Sequence, residues 1–214
     1  MTSRSRILIA DDHNLVAELF KKLLADDFDV VGTVGDGHAL VRAAAELKPD
    51  LILLDIAMPL LNGMDAGRQV KKMLPKTKLI YLTITADADV AAEAFALGAS
   101  GYLLKTCAAS ELTLAVHEVL RGKTYLSKAL SRDTVDSLRW ERRKLVNVDA
   151  RLTDRQREVL QLLAEGKVMK EIGAILRMSH RTVNYHKYQM MKTLGARSTA
   201  DLVRYAIRNH IVAA

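Results

Sequence analysis

Short apolar runs alternate with helical segments over the first 122 residues, and this alternation constrains the fold more than any other feature of the sequence. Each apolar run has the length of a buried strand, and the segments between the runs have helical character. The pattern therefore predicts a parallel sheet with helices on both faces. The predicted strands span residues 6–10, 28–34, 51–55, 79–83 and 101–104, and the predicted helices lie near residues 14–25, 36–47, 64–73, 87–97 and 108–121.

Acidic residues follow two of these strands. Asp11 and Asp12 come directly after the first strand, and the third strand ends on Asp55. For five strands we predict the flavodoxin-like order 2-1-3-4-5, in which strands 1 and 3 meet at the crevice that binds ligands. Because like charges so close together favour a bound cation, we expect Mg2+ there, and a carboxylate beside it can attack phosphorus. Taken alone, Asp55 could equally be the cap of the following helix.

The strand pattern stops after Gly122, and the rest of the chain is helical and basic. Residues 1–123 carry 14 Lys and Arg against 16 Asp and Glu, whereas residues 124–214 carry 18 against 9. Such asymmetry indicates a module that binds nucleic acid, although a well-solvated helical domain is the alternative. We predict three parts: a domain over residues 1–122, a linker helix and tether over 123–149, and an all-α domain of four helices over 150–214.

The composition indicates a cytoplasmic protein. No apolar run approaches the length that spans a bilayer, and the N-terminus runs into the first strand without a signal-peptide core. Cys107 is the only cysteine of the chain, so an internal disulfide is excluded, as expected in a reducing compartment.

In order along the chain, these motifs resemble the two-component response regulators of the NarL/LuxR (FixJ) type. The matching residues in the first half are Asp11 and Asp12, Asp55 with Pro59 and Gly63, Thr83, and the run from Gly98 to Lys105. The resemblance implies that residues 1–122 are a receiver domain in which Asp55 accepts a phosphoryl group. It also implies that Mg2+ is bound by Asp12, Asp55 and the backbone carbonyl of Ala57, with Asp11 contributing through water.

The same resemblance assigns three further roles in the receiver. Lys105 and Thr83 would contact the phosphoryl oxygens through charge-assisted hydrogen bonds, and Tyr102 would be an aromatic switch that turns inward when Thr83 moves. The alternatives are a surface lysine, a strand hydroxyl and a half-buried strand aromatic. The chain departs from the family pattern at Ile84 and Thr106, and both departures bear on the rate and lifetime of phosphorylation.

The second half resembles a LuxR-type helix-turn-helix domain. The matching residues are Leu152, Thr153, Arg155, Gln156, Glu158, Val159 and Leu160, then Gly166, Lys170, Glu171 and Ile172, and finally Thr182, Val183 and His186. At about 100° per residue, one side of the recognition helix is apolar and is predicted to be core, with His186 as a packed histidine. This core side comprises Val183, His186, Met190 and Leu194.

The opposite side of that helix is predicted to enter the major groove of DNA. A solvated surface, or a surface that meets the receiver, is the alternative. The predicted DNA contacts are Arg181, Asn184, Tyr185, Tyr188 and Lys192, together with Lys170. The last helix has an apolar side that could either pack on its own domain or form a dimer contact; it comprises Leu202, Val203, Ala206 and Ile207.

Together these features predict a DNA-binding response regulator and not an enzyme. A sensor histidine kinase is expected to phosphorylate Asp55 and thereby control homodimerisation, operator binding and contact with RNA polymerase. One alternative is a phosphorylation-independent DNA-binding regulator whose receiver serves as a dimerisation or ligand module. Another is a phosphatase of the aspartyl-phosphate type, which would leave the basic half of the chain unexplained.

Overall fold

The computed structural model describes residues 4–107, 109–130, 136 and 152–212, which belong to two compact units. In the first unit, helices alternate with the strands of a parallel sheet. The strands are β1 Arg6–Ala10, β2 Asp29–Val34, β3 Leu51–Asp55, β4 Lys78–Thr83, β5 Gly101–Leu104 and β6 Tyr125–Leu126, and the helices are α1 Asn14–Leu24, α2 Gly37–Leu47, α3 Gly63–Met73, α4 Ala88–Ala96 and α5 Ala109–Leu120.

The predicted strand order is confirmed and is extended by one strand. Over the described residues the order is β2-β1-β3-β4-β5-β6, and every neighbouring pair is parallel. The prediction that the strand pattern ends at Gly122 is wrong, since Tyr125–Leu126 pairs with β5. Two residues are too few for an alternating pattern to be visible in the sequence. The rest of the predicted linker, residues 131–149 apart from Asp136, lies outside the described residues.

Alternate residues of each central strand enter two separate cores, one on each face of the sheet. Ile7 and Ile9 of β1 pack on the face that α1 and α5 cover, whereas Leu8 and Ala10 pack on the face of α2, α3 and α4. All five residues of β3 are buried, as expected for a strand covered on both faces. Helices on both faces thus leave the carboxyl edge of the sheet as the place where polar side chains can gather.

The described residues 152–212 of the second unit form four helices, as predicted. They are α6 Asp154–Ala164, α7 Met169–Leu176, α8 His180–Leu194 and α9 Thr199–Arg208. A capping box starts α6, because Gln156 N donates to Thr153 Oγ1 over 3.2 Å and Thr153 N donates to Gln156 Oε1 over 2.8 Å. None of the helices described in either unit has both the length and the apolar character needed to cross a bilayer.

The turn between α7 and α8 is short and tightly packed. Arg177 has a positive φ of 53°, and Ser179 then caps α8 by accepting a hydrogen bond from Thr182 N over 3.1 Å. A Cβ atom on Gly173 would lie 2.7 Å from the carbonyl oxygen of Met178, so a larger residue there would push the turn away from α7. Two helices joined by a turn of this length form a helix-turn-helix.

Gly63 fixes the loop that follows Asp55. A Cβ atom on Gly63 would lie 2.0 Å from the Asp55 carbonyl oxygen and 3.0 Å from the Ile56 Cα atom. In addition, Gly63 N donates to the Ile56 carbonyl over 2.9 Å, so the start of α3 is held against the end of β3. Any side chain at this position requires the backbone beside Asp55 to move.

We expect Gly63→Ala to lower the free energy of unfolding of the first unit by about 1–3 kcal/mol, the usual cost of overpacking. Gly35→Ala is the matched control, because the nearest atom to its added Cβ is 3.9 Å away. Denaturant unfolding of both variants, followed by circular dichroism, measures the difference. A Gly63→Ala protein as stable as the control would contradict the close approach described above.

Candidate functional site

Two buried carboxylates lie side by side at the carboxyl edge of the sheet. Asp11 follows β1, where its N–H donates to the Val34 carbonyl over 3.0 Å, and Asp55 ends β3. Each is 2% exposed, and the pairing of β1 with β3 brings them together. Ala57 N donates to Asp55 Oδ1 over 3.3 Å, so Ala57 lies directly beside this carboxylate. The convergence predicted from the strand order is therefore present.

Lys105, just after β5, pairs with both carboxylates. Its Nζ atom lies 2.8 Å from Asp11 Oδ2 and 2.9 Å from Asp55 Oδ2. Its backbone N–H donates to the Thr83 carbonyl over 2.7 Å, which anchors the residue at the edge of the sheet. The ammonium group thus bridges two anions that would otherwise repel each other in a desolvated pocket.

Burial and pairing shift the pKa values of this pocket in a consistent way. Burial raises the pKa of Asp55, and the Lys105 ammonium opposes that rise. Burial lowers the pKa of Lys105, but the hydrogen bonds and charges of Asp11 and Asp55 outweigh it, so the net shift is upward. Lys105 therefore stays protonated and can compensate negative charge at Asp55.

Asp12 and His13 extend the pocket toward solvent. His13 Nδ1 lies 2.8 Å from Asp12 Oδ1 and 3.4 Å from Asp11 Oδ1. Asp11, Asp12, His13 and Asp55 each offer one ligand atom, and these atoms all lie within 4.8 Å of one another. His13 was not predicted as a site residue, although its position directly after two aspartates was a usable signal. The group has the composition and size of a site for a divalent cation.

Thr83 and Tyr102 are neighbours on the adjoining strands β4 and β5. Burial raises the pKa of Tyr102, Asp87 adds to the rise, and the nearby Thr83 hydroxyl opposes it. Tyr102 is fully buried, so its ring is more enclosed than a half-buried strand aromatic. Thr83 Oγ1 accepts a hydrogen bond from Thr85 N over 3.2 Å, and the intervening Ile84 is 77% exposed.

In the second unit, helix α8 has one buried and one exposed side, as its sequence predicts. Val183 and Met190 are fully buried, and His186 and Leu194 are half-buried. Burial and the Arg155 charge lower the pKa of His186, which fits a packed neutral histidine. The other side of the helix is lined by the exposed residues Arg181, Tyr185, Tyr188 and Lys192. Asn184 on the same side is half-buried, and Lys170 on α7 is exposed.

His180 is an addition to this exposed side that was not predicted from the sequence. It is the first residue of α8, and its ring nitrogen Nδ1 lies 3.1 Å from Asn184 Nδ2. The spacing of four residues places the two side chains one turn apart on the helix, which was a usable signal. A contact of Asn184 with a DNA base would involve the amide that now meets His180.

Two family models match the chain. Residues 7–117 match the response regulator receiver domain, and residues 150–206 match the bacterial regulatory proteins of the LuxR family. The chain is 34% identical over 209 residues to the transcriptional regulatory protein LiaR of Bacillus subtilis, which covers 97% of this chain and 99% of LiaR. The chain belongs to the LuxR-type response regulators. The oxygen regulatory protein NreC of Staphylococcus aureus is 33% identical to this response regulator over 214 residues, covering 97% of it and 99% of NreC.

Solved structures of other response regulators have a similar fold. RcsB of Salmonella enterica serovar Typhimurium, bound to a promoter in the presence of the phosphomimetic BeF3−, is 25% identical with a TM-score of 0.56, covering 99% of this chain and 100% of that one. A LuxR-family response regulator from Aurantimonas is 28% identical with a TM-score of 0.57, and the match covers 65% of this chain and 99% of that one. A structure of two RcsB dimers on two parallel DNAs is 26% identical with a TM-score of 0.56, covering 95% and 98%.

These comparisons confirm the predicted family and its DNA-binding role in transcription regulation. In this response regulator the pocket brings together the predicted residues Asp11, Asp12, Asp55 and Lys105, with Ala57 beside them. Thr83 and Tyr102 lie beside each other on the next strands. The individual roles of all these residues, and of those on α8, stay predictions.

We expect Lys105→Met to raise the pKa of Asp55 further, because the variant removes the charge that opposes the effect of burial. A raised pKa in the folded state means that the fold is favoured when Asp55 is protonated. Stability is then lost as the pH rises from the ordinary value of 3.8 to the folded pKa, and the variant extends that loss to higher pH.

Carboxyl 13C NMR of Asp55 measures this shift directly. Lys76→Met is the matched control, because Lys76 is exposed and precedes β4 at the opposite edge of the sheet. An Asp55 pKa in Lys105→Met at or below that of the control would mean that the two charges do not interact as their distance indicates.

Proposed function

We propose that a sensor histidine kinase transfers a phosphoryl group to Asp55, and that the modified receiver controls dimerisation and operator binding. The observation that carries the proposal is the placement of Asp55 beside Asp11, with the Lys105 ammonium 2.9 Å from Asp55 Oδ2 and 2.8 Å from Asp11 Oδ2. The receiver and LuxR-type domains together make this chemistry the natural input of a transcription regulator. We place it in the cytoplasm, where the DNA target and the kinase's catalytic part would meet.

In the proposed transfer, an Asp55 carboxylate oxygen attacks the phosphorus of a phosphohistidine. The phosphorus–nitrogen bond breaks, and the released imidazole takes up a proton while Asp55 keeps the phosphoryl group. Lys105 can follow a phosphoryl oxygen and compensate its charge, and the Thr83 hydroxyl can donate to another oxygen. Both groups start from the edge of the sheet that holds Asp55.

The residues of the pocket fit a divalent cation such as Mg2+. The carboxylates of Asp11, Asp12 and Asp55 carry three negative charges, and the Lys105 ammonium carries one positive charge. The net charge of −2 is the charge that one divalent cation would neutralise. Carboxylate and carbonyl oxygens are the ligands that Mg2+ prefers. Asp12, Asp55 and the Ala57 carbonyl would hold the ion, with Asp11 acting through water, and the ion would offset the charge of the phosphoryl group.

The output of the proposed switch is the exposed side of α8. Arginine, lysine and asparagine supply the donors and acceptors that read phosphates and base edges, and two exposed tyrosines add apolar contact. RcsB is a relative whose structures include promoter DNA with BeF3− and dimers on DNA, which supports a phosphorylation-dependent dimer here. RNA polymerase is the proposed further partner at the promoter.

The acceptor assignment is tested by Asp55→Asn. We expect this variant to lose stable labelling by a small phosphoryl donor such as acetyl phosphate, because an amide is a far weaker nucleophile than a carboxylate. Intact-protein mass spectrometry measures the label, and Asp26→Asn, an exposed aspartate before β2, is the control. Undiminished labelling of Asp55→Asn would move the acceptor elsewhere, and repeated turnover of a phosphomonoester by the parent would favour the phosphatase alternative.

The DNA face is tested by Lys192→Ala and Asn184→Ala. If Lys192 contacts a phosphate, Lys192→Ala should weaken binding to every DNA sequence. It should also lower the slope of log affinity against log salt concentration by about one. If Asn184 contacts a base, Asn184→Ala should cost about 1–3 kcal/mol of binding free energy and relax the preference at one base position. Neither variant should alter labelling of Asp55, because the two sites share no residue.

Fluorescence anisotropy with a selected operator and with scrambled DNA, at several salt concentrations, separates these effects. Lys76→Ala is the control, since it removes an exposed charge from the receiver and leaves α8 intact. If both α8 variants bind both DNAs like the control, the recognition surface lies elsewhere.

A further inference from the structure

His13 stands at the N-cap position of α1, yet its side chain makes no capping hydrogen bond. Ser, Thr, Asp and Asn are preferred there because their side chains accept from the first turn of the helix. The His13 ring instead approaches the carboxylates of the pocket, with Nδ1 2.8 Å from Asp12 Oδ1 and 3.4 Å from Asp11 Oδ1. A residue that forgoes its capping role and faces an acidic cluster calls for a functional reason.

The spacing of these atoms suits a shared cation. Ligand bonds of about 2.1 Å in an octahedral site put neighbouring ligand atoms about 3.0 Å apart and opposite ones about 4.2 Å apart. The 2.8 Å distance from His13 Nδ1 to Asp12 Oδ1 lies close to the first value, and the full set with Asp55 lies within 4.8 Å. Small side-chain adjustments would therefore bring the nitrogen and the carboxylate oxygens around one ion.

Lys105 and His13 approach different oxygen atoms of Asp11. The Lys105 ammonium meets Asp11 Oδ2, whereas His13 N donates to Asp11 Oδ1 over 2.9 Å and the His13 ring lies on that same side. A cation linked to Asp11 Oδ1 through water would thus have the His13 ring within reach without displacing Lys105. The ring is 67% exposed, so it can rotate into place without disturbing the core.

We propose that His13 Nδ1 is a nitrogen ligand of the cation site and makes the site prefer a first-row transition ion over Mg2+. Imidazole suits Fe2+, Co2+, Ni2+ and Zn2+, whereas a site of carboxylates, carbonyls and water suits Mg2+. This inference rests on the cation site of the proposed function and adds a nitrogen to it. The response regulator would then be phosphorylated with either type of ion but would bind the transition ion more tightly.

A simple hydrogen bond from the His13 ring to Asp12 is the competing explanation. In that case the ring positions a carboxylate, and its loss would change the affinity for Mg2+ and for a transition ion by the same factor. A nitrogen ligand predicts a selective loss. The comparison of two ions on the same variants therefore separates the two explanations.

The test is calorimetric titration of the full chain with MgCl2 and with CoCl2. His13→Ser removes the ring and places a preferred capping residue at the start of α1, so the fold should be retained. His210→Asn is the matched control, because it removes an exposed histidine at a positive φ of 51° that asparagine tolerates. Asp12→Ala reports on the cation site itself.

We expect His13→Ser to bind Co2+ at least about tenfold more weakly than the parent while its Mg2+ affinity changes less than about threefold. In the Co2+-loaded parent, NMR should show strongly shifted ring protons that disappear in His13→Ser and persist in His210→Asn. Equal loss for both ions, or no loss for Co2+, overturns the role of His13 and leaves the proposed function intact. Undiminished binding of both ions by Asp12→Ala overturns the role of His13 together with the cation site.

Discussion

The ion pairs that join Lys105 to Asp11 and Asp55 are the interaction on which the pocket depends. Two carboxylates that are each 2% exposed would repel each other and lose their hydration, and one ammonium group 2.8 and 2.9 Å away compensates both. The three residues follow or end β1, β3 and β5, whose carboxyl ends lie at the same edge of this parallel sheet. Fold and site are thus consequences of the same topology.

In the proposed function, the charge of the pocket is what would let it act as a switch. Without a cation the set of Asp11, Asp12, Asp55 and Lys105 carries two excess negative charges, and a phosphoryl group on Asp55 would add about 1.5 to 2 more. Such a change must be met by nearby donors, and Lys105 and Thr83 lie at the same edge of the sheet as Asp55. Thr83 neighbours the buried Tyr102, so a shift of Thr83 would change the packing around the Tyr102 ring.

Coupling of this kind has a modest size. Effectors usually change the affinity at a second site by about 1–3 kcal/mol, which biases an equilibrium and does not lock it. The receiver and the DNA-binding unit share no site residue, so the proposed control would have to pass through a change of surface or of association. Homodimerisation suits that requirement because it alters DNA affinity without altering the residues of α8.

Much of this architecture could be predicted because it follows from periodic patterns. The strands and their order, the meeting of Asp11 with Asp55 and the buried side of α8 all depend on regular spacing. The features that were missed depend on single side chains or very short segments. Strand β6 has two residues, and the direction of the His13 ring is set by local rotamers that no pattern records.

The partial burial of His186 and the contact between Asn184 and His180 also depend on single side chains and could not be predicted from helical spacing alone. Helical spacing places a residue on one side of α8, but it does not say how deeply the side chain is enclosed or which neighbour its polar atoms choose. Those details depend on the shapes of the surrounding residues.

The most direct test of phosphorylation-controlled DNA binding is operator affinity of the full chain with and without acetyl phosphate and Mg2+, with the mass of the free protein followed by light scattering. Phosphorylation should strengthen operator binding by about 5- to 150-fold and shift the protein toward a dimer. Equal affinity and equal mass in both conditions, while mass spectrometry finds Asp55 phosphorylated, would contradict the coupling between receiver and DNA-binding domain.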